Sequence, residues 1–402
     1  MRILAVTNLY PNPFQPNRAT FNRQQFCAVA RTCPMAVISP VAWTDEVSAR
    51  LHGGQKMPKG RRIECDGITV DHPCYVFPPK LGRAWYGQMF RRSIRRAFDR
   101  ALVEFRPDVV LASWAFPDGW AAVDLAKRAG LPVVLKVHGS DILTMMNSSP
   151  ARRTRTLEAL HRADGVVAVS RDLADKVIEE GVKPERVRLI YNGVDTDVFK
   201  PGPMAQARER LGLAKERPTL VYIGNLVPVK GVDVLIEACG LLAKGGTDFA
   251  TYMIGQGSLR PGLERRVAEL GIDKQVKFVG PKPHRELPDW FRAADVFVLP
   301  SRSEGVPNVL LEASACGTRF VASRVGGIPE ITHLGSGLLV KPKDPAALAE
   351  GIRTSLADAS NGSKSSGVQP GKFRSHADAA GELIAFLAEA SGRAVKGSPQ
   401  AA

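Results

Sequence analysis

The sequence predicts an α/β protein built from two doubly wound, Rossmann-like domains in tandem. Its 402 residues are more than one hydrophobic core usually spans. Short apolar runs alternate with amphipathic helical stretches along most of the chain. A proline-punctuated connector, Lys200-Pro-Gly-Pro203, divides those units into two series.

In the first series, strands are expected at 3–6, 35–38, 109–112, 133–137, 165–169 and 188–190. In the second they are expected at 219–223, 251–254, 276–279, 296–299, 319–322 and 337–340. Most are continuously apolar rather than alternating, which suits parallel strands covered on both faces. Helical periodicity lies between them, at 118–129, 170–180, 232–244, 259–270 and 307–316. These elements predict an N-terminal domain over 1–198 and a C-terminal domain over 204–372, with ligands bound in the cleft where the two sheets face each other. Residues 358–372 are rich in Gly, Ser and other polar residues and read as a flexible loop. A last amphipathic helix over 377–390 is expected to pack back on the first domain, and 392–402 to form a disordered tail.

Composition narrows the function. Six cysteines are scattered without a CxxC pair or a histidine at zinc spacing, so neither a disulfide framework nor a metal cluster is expected, and a cytoplasmic setting is. The opening MRILAVTNLYPNP reads as a buried strand running into a proline-rich loop rather than a signal peptide, and no run of 18 apolar residues exists to span a membrane. A net charge of +15 points to nucleic acid, anionic lipid or phosphorylated small molecules, or simply to a solvated basic surface. Nucleic acid is the weakest of these, because no binding motif appears and the basic residues are not interleaved with stacking aromatics.

The segment 296–317, VFVLPSRSEGVPNVLLEASACG, carries the most chemistry. A buried strand ends, a polar loop follows, and a helix begins near Pro307, where a missing N–H costs nothing in a first turn. The N–H groups of Gly305, Val306, Asn308 and Val309 then gather at a positive helix end, a seat for phosphate or sugar hydroxyls. Glu304 and Glu312 could each accept two hydrogen bonds from vicinal hydroxyls; equally, Glu304 could complement the helix dipole while Glu312 is solvated.

SEGVPNVLLEASACG resembles the E-x7-E signature of the retaining glycosyltransferases of family 4, whose fold, GT-B, is two facing Rossmann-like domains with the active site between them. The resemblance implies that Glu304 contacts the donor sugar and Glu312 the nucleotide ribose. YIGNLVPVKGVDVLIEA (222–238) is similar to the segment that holds the donor diphosphate, with Lys230 as the phosphate-binding lysine. Asn225 stands where the family often has arginine, and brings a donor without charge. KVHGSD (136–141) resembles the stretch in which a histidine, here His138, lies beside the donor sugar. His284 falls at a structural helix start and is assigned no chemistry. YPNPFQPNRATF (10–21) is similar to a variant of the family's first loop with Ala19 in place of glycine. A close approach of backbone to phosphate there requires a negative φ at Ala19, and Arg18 either adds charge or is solvated.

The implied reaction is transfer of a hexose-type sugar from a nucleotide diphosphate to an acceptor hydroxyl, with retention and without metal or cofactor. Lys230 and helix N-termini would meet the charge on the leaving group, and attack on the same face, with the leaving phosphate as base, fits better than Glu304 as nucleophile. The acceptor would be a carbohydrate or a lipid-linked molecule in cell-surface polysaccharide or glycolipid synthesis. The helix at 84–105 sets an apolar stripe against Arg91, Arg92, Arg95, Arg96 and Arg100. It reads equally as a core helix with solvated arginines and as a peripheral contact with an anionic inner membrane face. A sugar-nucleotide epimerase, a phosphorylase of the same two-domain fold and a non-enzymatic basic binding protein are the competing functions.

Overall fold

The structure, a computed structural model, describes residues 1–79, 82, 85–360 and 373–392. It divides into two compact units: Met1–Gly193 together with the segment from His376, and Val194–Ser375. The division falls at Gly193, ahead of the Pro-Gly connector. Val194 already donates its N–H to the Arg374 carbonyl (2.9 Å), and the Phe199 ring stands edge-on to Phe291 at 6.1 Å inside the second unit. The loop expected over 358–372 begins as helix, and its remainder lies outside the described residues, as does the tail expected beyond Gly392.

In the first unit, β1 (Ile3–Val6), α1 (Thr20–Ala30), β2 (Met35–Ile38), β3 (Val41–Ala42) and α2 (Trp43–Leu51) come first. They are followed by β4 (Arg62–Cys65), β5 (Ile68–Asp71), β6 (Cys74–Tyr75), α3 (Tyr86–Glu104), β7 (Val109–Ser113) and α4 (Trp120–Arg128). Then come β8 (Val133–Val137), α5 (Pro150–Arg162), β9 (Gly165–Ala168), α6 (Arg171–Glu179) and β10 (Val187–Leu189). The main sheet runs β10-β9-β8-β7-β1-β2-β5-β4, with β4 antiparallel to β5 and every other pair parallel. β3 and β6 form a small parallel pair of their own.

The short strands β3 to β6 go beyond the sequence prediction. For β4 and β5 a signal was present: Asp66 (φ 53) and Gly67 (φ 76) form the left-handed two-residue turn that an Asp-Gly hairpin takes. In α3, Phe90, Ile94, Ala97, Phe98 and Ala101 are buried in one core, so the predicted apolar stripe packs inward.

In the second unit, α7 (Met204–Leu211), β11 (Thr219–Ile223), α8 (Val232–Lys244), β12 (Ala250–Ile254), α9 (Arg260–Glu269) and β13 (Val276–Gly280) lead. After them come α10 (Leu287–Ala293), β14 (Val296–Leu299), α11 (Asn308–Ala315), β15 (Phe320–Ser323), α12 (Ile328–Ile331), β16 (Gly337–Val340) and α13 (Pro345–Ser360). The sheet is wholly parallel, in the order β13-β12-β11-β14-β15-β16. The order reverses between β11 and β14. Loops leaving the two strands at such a point diverge, one helix to each face, and open a crevice at the carboxyl ends of the strands. The chain finally returns to the first unit as α14 (His376–Ala390), where Leu383, Phe386 and Leu387 share a core with Ile3, Phe26 and Val37.

The crevice loops touch backbone to backbone. A Cβ on Gly231 (φ 61) would stand 2.0 Å from the Pro300 carbonyl oxygen, and one on Gly326 (φ 51) would stand 1.9 Å from that of Glu304. Both the left-handed φ and the clash exclude any other residue at these positions. Gly231→Ala is therefore expected to lower unfolding free energy by roughly 3 kcal/mol or more. Chemical denaturation followed by circular dichroism measures this, and an unchanged midpoint would show that the loops are not in this contact.

Candidate active site

The loops after β11 and β14 bring two of the predicted residues together. Lys230 closes a short turn that starts at Pro228, and its Nζ donates to Glu304 Oε1 at 2.6 Å. Ser301 Oγ donates to the same oxygen, also at 2.6 Å. Glu304 is buried and Lys230 half-buried, so the pair is screened less than a surface one. Removing either partner strands a charge in a desolvated place, at a cost of about 3 kcal/mol. The loops are also stapled from outside. Arg302 N–H bonds the Val229 carbonyl (2.8 Å), and the Arg302 guanidinium grips Asp233 (2.9 and 2.5 Å) at the start of α8. Asn225 lies exposed at the end of β11, where its carbonyl accepts from Tyr222 Oη at 2.8 Å.

The helix after the second loop starts one residue later than predicted. Pro307 is the N-cap, and α11 begins at Asn308 with no side chain capping it. Gly305 and Val306 are buried just ahead of it, and the Gly305 carbonyl accepts from Gly327 N–H at 2.9 Å. Asn308 and Val309 occupy its half-exposed first turn.

Glu312 is buried rather than solvated. Its Oε1 accepts from His284 Nε2 at 2.8 Å, while Oε2 is buried without a hydrogen-bond partner among the described residues. His284 was expected to be only the start of a helix. It does open the turn into α10, yet the same turn aims its ring at Glu312. Proximity of residues 28 apart in sequence has no local signature, so spacing could not reveal it.

In the first unit, His138 follows β8, where Gly139 (φ 111) makes a bend that only glycine adopts readily. Asp141 shapes this bend: its carboxylate accepts from the N–H groups of His138 (3.0 Å), Gly139 (2.9 Å), Ile142 (3.2 Å) and Ala115 (3.1 Å). The imidazole lies beside Phe21 (5.0 Å) and Trp114 (6.4 Å), and its Nε2 meets Ser113 Oγ at 2.7 Å. Trp114 itself holds φ 96, a strained value for a bulky residue. Burial, and then the neighbouring Lys136, hold His138 well below the usual histidine range, so it is neutral. Lys136 is buried with Nζ on Gln25 Oε1 and Asn192 Oδ1, and no carboxylate among the described residues pairs with it. Burial pushes its pKa down to about 7.

The first loop differs from expectation. Ala19 has φ 46 rather than a negative value, so the condition set for a close backbone approach to phosphate is not met. Arg18 is half-buried and braces the loop: Nε donates to the Asn8 carbonyl (2.8 Å) and Nη1 to Gln15 Oε1 (2.6 Å).

On α3, Arg91 pairs with Asp124 (2.7 Å), Arg100 with Asp71 (2.6 Å) and Arg95 loosely with Asp99 (3.7 Å). Arg92 and Arg96 are exposed and have no ion pair among the described residues. Arg91, Arg92, Arg95 and Arg128 line a groove of about 580 Å³ beside the exposed Trp85. Among the described residues no helix is long and apolar enough to cross a membrane.

Residues 204–366 match the family described as Glycosyl transferases group 1, and residues 48–198 match Glycosyltransferase Family 4. The D-inositol 3-phosphate glycosyltransferase 1 of Catenulispora acidiphila is 33% identical over 320 residues, 73% of this chain and 74% of that protein. The putative teichuronic acid biosynthesis glycosyltransferase TuaC of Bacillus subtilis is 30% identical over 369 residues, 88% of each. Other D-inositol 3-phosphate glycosyltransferases, 34% identical, are matched over 60–64% of their own length. Anabaena HepE, solved in complex with UDP and glucose, superposes with a TM-score of 0.69 at 20% identity, covering 98% of this chain and 97% of that one. The fold is GT-B, and the chain is a glycosyltransferase that belongs to family 4.

The buried lysine makes a sign-specific prediction. Between about pH 7 and its unfolded pKa of about 10.4, Lys136 is neutral when folded and protonated when unfolded, so stability rises with pH. Lys136→Met, which keeps the volume without the charge, is expected to flatten that rise between pH 7 and roughly 8.5. Thermal melts of both proteins across this window decide it; equal slopes would mean that the ammonium stays charged in the fold.

Proposed function

We propose that this glycosyltransferase moves a hexose-type sugar from a nucleotide-diphosphate donor to an acceptor hydroxyl with retention of configuration, in making cell-surface polysaccharide or glycolipid. The observation that carries the reading is the Lys230–Glu304 pair at the strand-order reversal of the second unit. A carboxylate held by a lysine and a serine is fixed in direction, ready to accept from sugar hydroxyls, and the lysine beside it is a donor suited to phosphate oxygens. The N-terminus of α11 lies next in sequence, and its first-turn N–H groups add positive potential. TuaC, named for teichuronic acid synthesis, and HepE, bound to UDP and glucose, support both the cell-surface setting and the donor class.

In this mechanism, C–O cleavage leaves negative charge on the departing diphosphate and positive charge on the sugar ring. Lys230 and the α11 terminus neutralise the first, and Glu304 holds the ring. The acceptor oxygen attacks the face that the diphosphate leaves, and the departing phosphate takes its proton. Glu304, already bonded by Lys230 and Ser301, is better suited to gripping hydroxyls than to nucleophilic attack. Glu312 accepts from the nucleotide ribose. In the first unit, the neutral His138 contacts donor or acceptor hydroxyls. A carbohydrate or lipid-linked acceptor and an anionic membrane face are the partners we assign to that unit, the latter through Arg92, Arg96 and the groove beside Trp85.

Incubation with a panel of UDP, GDP and ADP sugars, read as nucleotide release, tests the reaction. One donor class is expected to be turned over, and turnover is expected to persist in EDTA. Lys230→Ala and Glu304→Gln should each cut the rate by about 100-fold or more while secondary structure is retained; full activity in either refutes the role. For the surface, co-sedimentation with vesicles carrying anionic phospholipid is expected to fall by about thirtyfold or more in Arg92→Glu/Arg96→Glu, since each of the two charges lost near the surface contributes about 1 kcal/mol. Equal binding by both proteins would remove the helix from membrane contact.

A further inference from the structure

Glu312 has two carboxylate oxygens in unlike circumstances. Oε1 is taken by His284 Nε2 at 2.8 Å, whereas Oε2 is buried and has no partner among the described residues. Leaving a buried carboxylate oxygen unpaired costs free energy, and a group that supplies O–H donors there recovers it. A side chain with three rotatable bonds would relieve the cost by swinging away unless something held it. What holds it is the imidazole. His284 is itself clamped, with the Phe199 ring edge-on at 4.9 Å and Phe199 in turn against Phe291 on α10. Phe199 is fully buried and ends the turn in which the Asp195 carboxylate accepts from the N–H groups of Asp197 and Val198. Because a carboxylate only accepts, the bonded nitrogen Nε2 carries the proton. One oxygen is thus pinned and the other is presented in a fixed direction.

We infer that His284 is a positioning residue: by pinning Oε1 of Glu312, it orients the carboxylate for a vicinal diol and so sets the preference for a nucleotide with both the 2′ and 3′ hydroxyls of its ribose. This rests on the reading of Glu312 as the ribose contact. A diol places two O–H donors side by side, one for Oε2 and one for the remaining lone pair of Oε1. The geometry rewards that pair and offers nothing to a deoxygenated sugar, which would leave Oε2 buried and unpaired as before.

The test is calorimetric titration with UDP, GDP and ADP and with their 2′,3′-dideoxy counterparts, following whichever ribonucleotide binds. His284→Ala is expected to weaken the ribonucleotide about tenfold and to leave the dideoxy form within about twofold, so that the preference collapses. His284→Gln, whose amide nitrogen can reach the same oxygen, should restore the ribonucleotide to within about threefold of the wild type. Equal weakening of both nucleotides would reveal a general packing role, and unchanged affinity would show that Glu312 orients without help; either overturns the inference. Glu312→Ala separates the layers. If it too leaves the ratio of ribo to dideoxy affinity at the wild-type value, or if no ribonucleotide binds at all, the reading of the site beneath the inference is at fault. Melting temperatures of the variants confirm that each is folded.

Discussion

Gly231 has no Cβ, and the loop after β11 can lie on the carbonyl of Pro300 for that reason alone. The contact depends on backbone shape rather than on side-chain chemistry, so it is rigid. The strands β11 and β14 are paired directly, and the contact holds together the loops that leave them, where Lys230 meets Glu304. Gly326 repeats the device against the carbonyl of Glu304 itself. Two missing methyl groups thus place a lysine, a serine and a glutamate in one cluster, and the polar chemistry follows from a steric allowance.

A second consequence concerns charge. The first unit buries Lys136 without a counter-ion and keeps His138 neutral, whereas the second buries Glu304 and Glu312 with a cation or an imidazole beside each. The first unit also buries Asp71 and Asp124 against arginines, so its uncharged groups are confined to the neighbourhood of Lys136 and His138. In the second, each of the two buried glutamates has a proton donor beside it.

Much of the fold was legible because parallel strands buried on both faces announce themselves as continuous apolar runs, as at Val133–Val137 and Val296–Leu299. The hairpin of Arg62–Cys65 and Ile68–Asp71 escaped because half of its first strand is polar and exposed, although its Asp-Gly turn was in plain sight. At the site, Lys230 and Glu304 were accessible through local motifs. The partnership of His284 with Glu312 was not, since it is made by the packing of α10 against α11 and leaves no trace in spacing. Ala19 failed differently: a non-glycine residue at φ 46 contradicts local preference, and the braces of Arg18 around the loop overrule that preference.

The strand β1 and the helix α14 belong to the same unit, with Phe386 of α14 filling the space beside Gly165 and sharing a core with Ile3. During synthesis the ribosome delivers the whole of the second unit before it delivers α14. The second unit can therefore close its core first, while the first waits with an apolar groove open for the 182 residues of Val194–Ser375. The part of the first unit made before Val194 must therefore be kept from aggregating until α14 arrives.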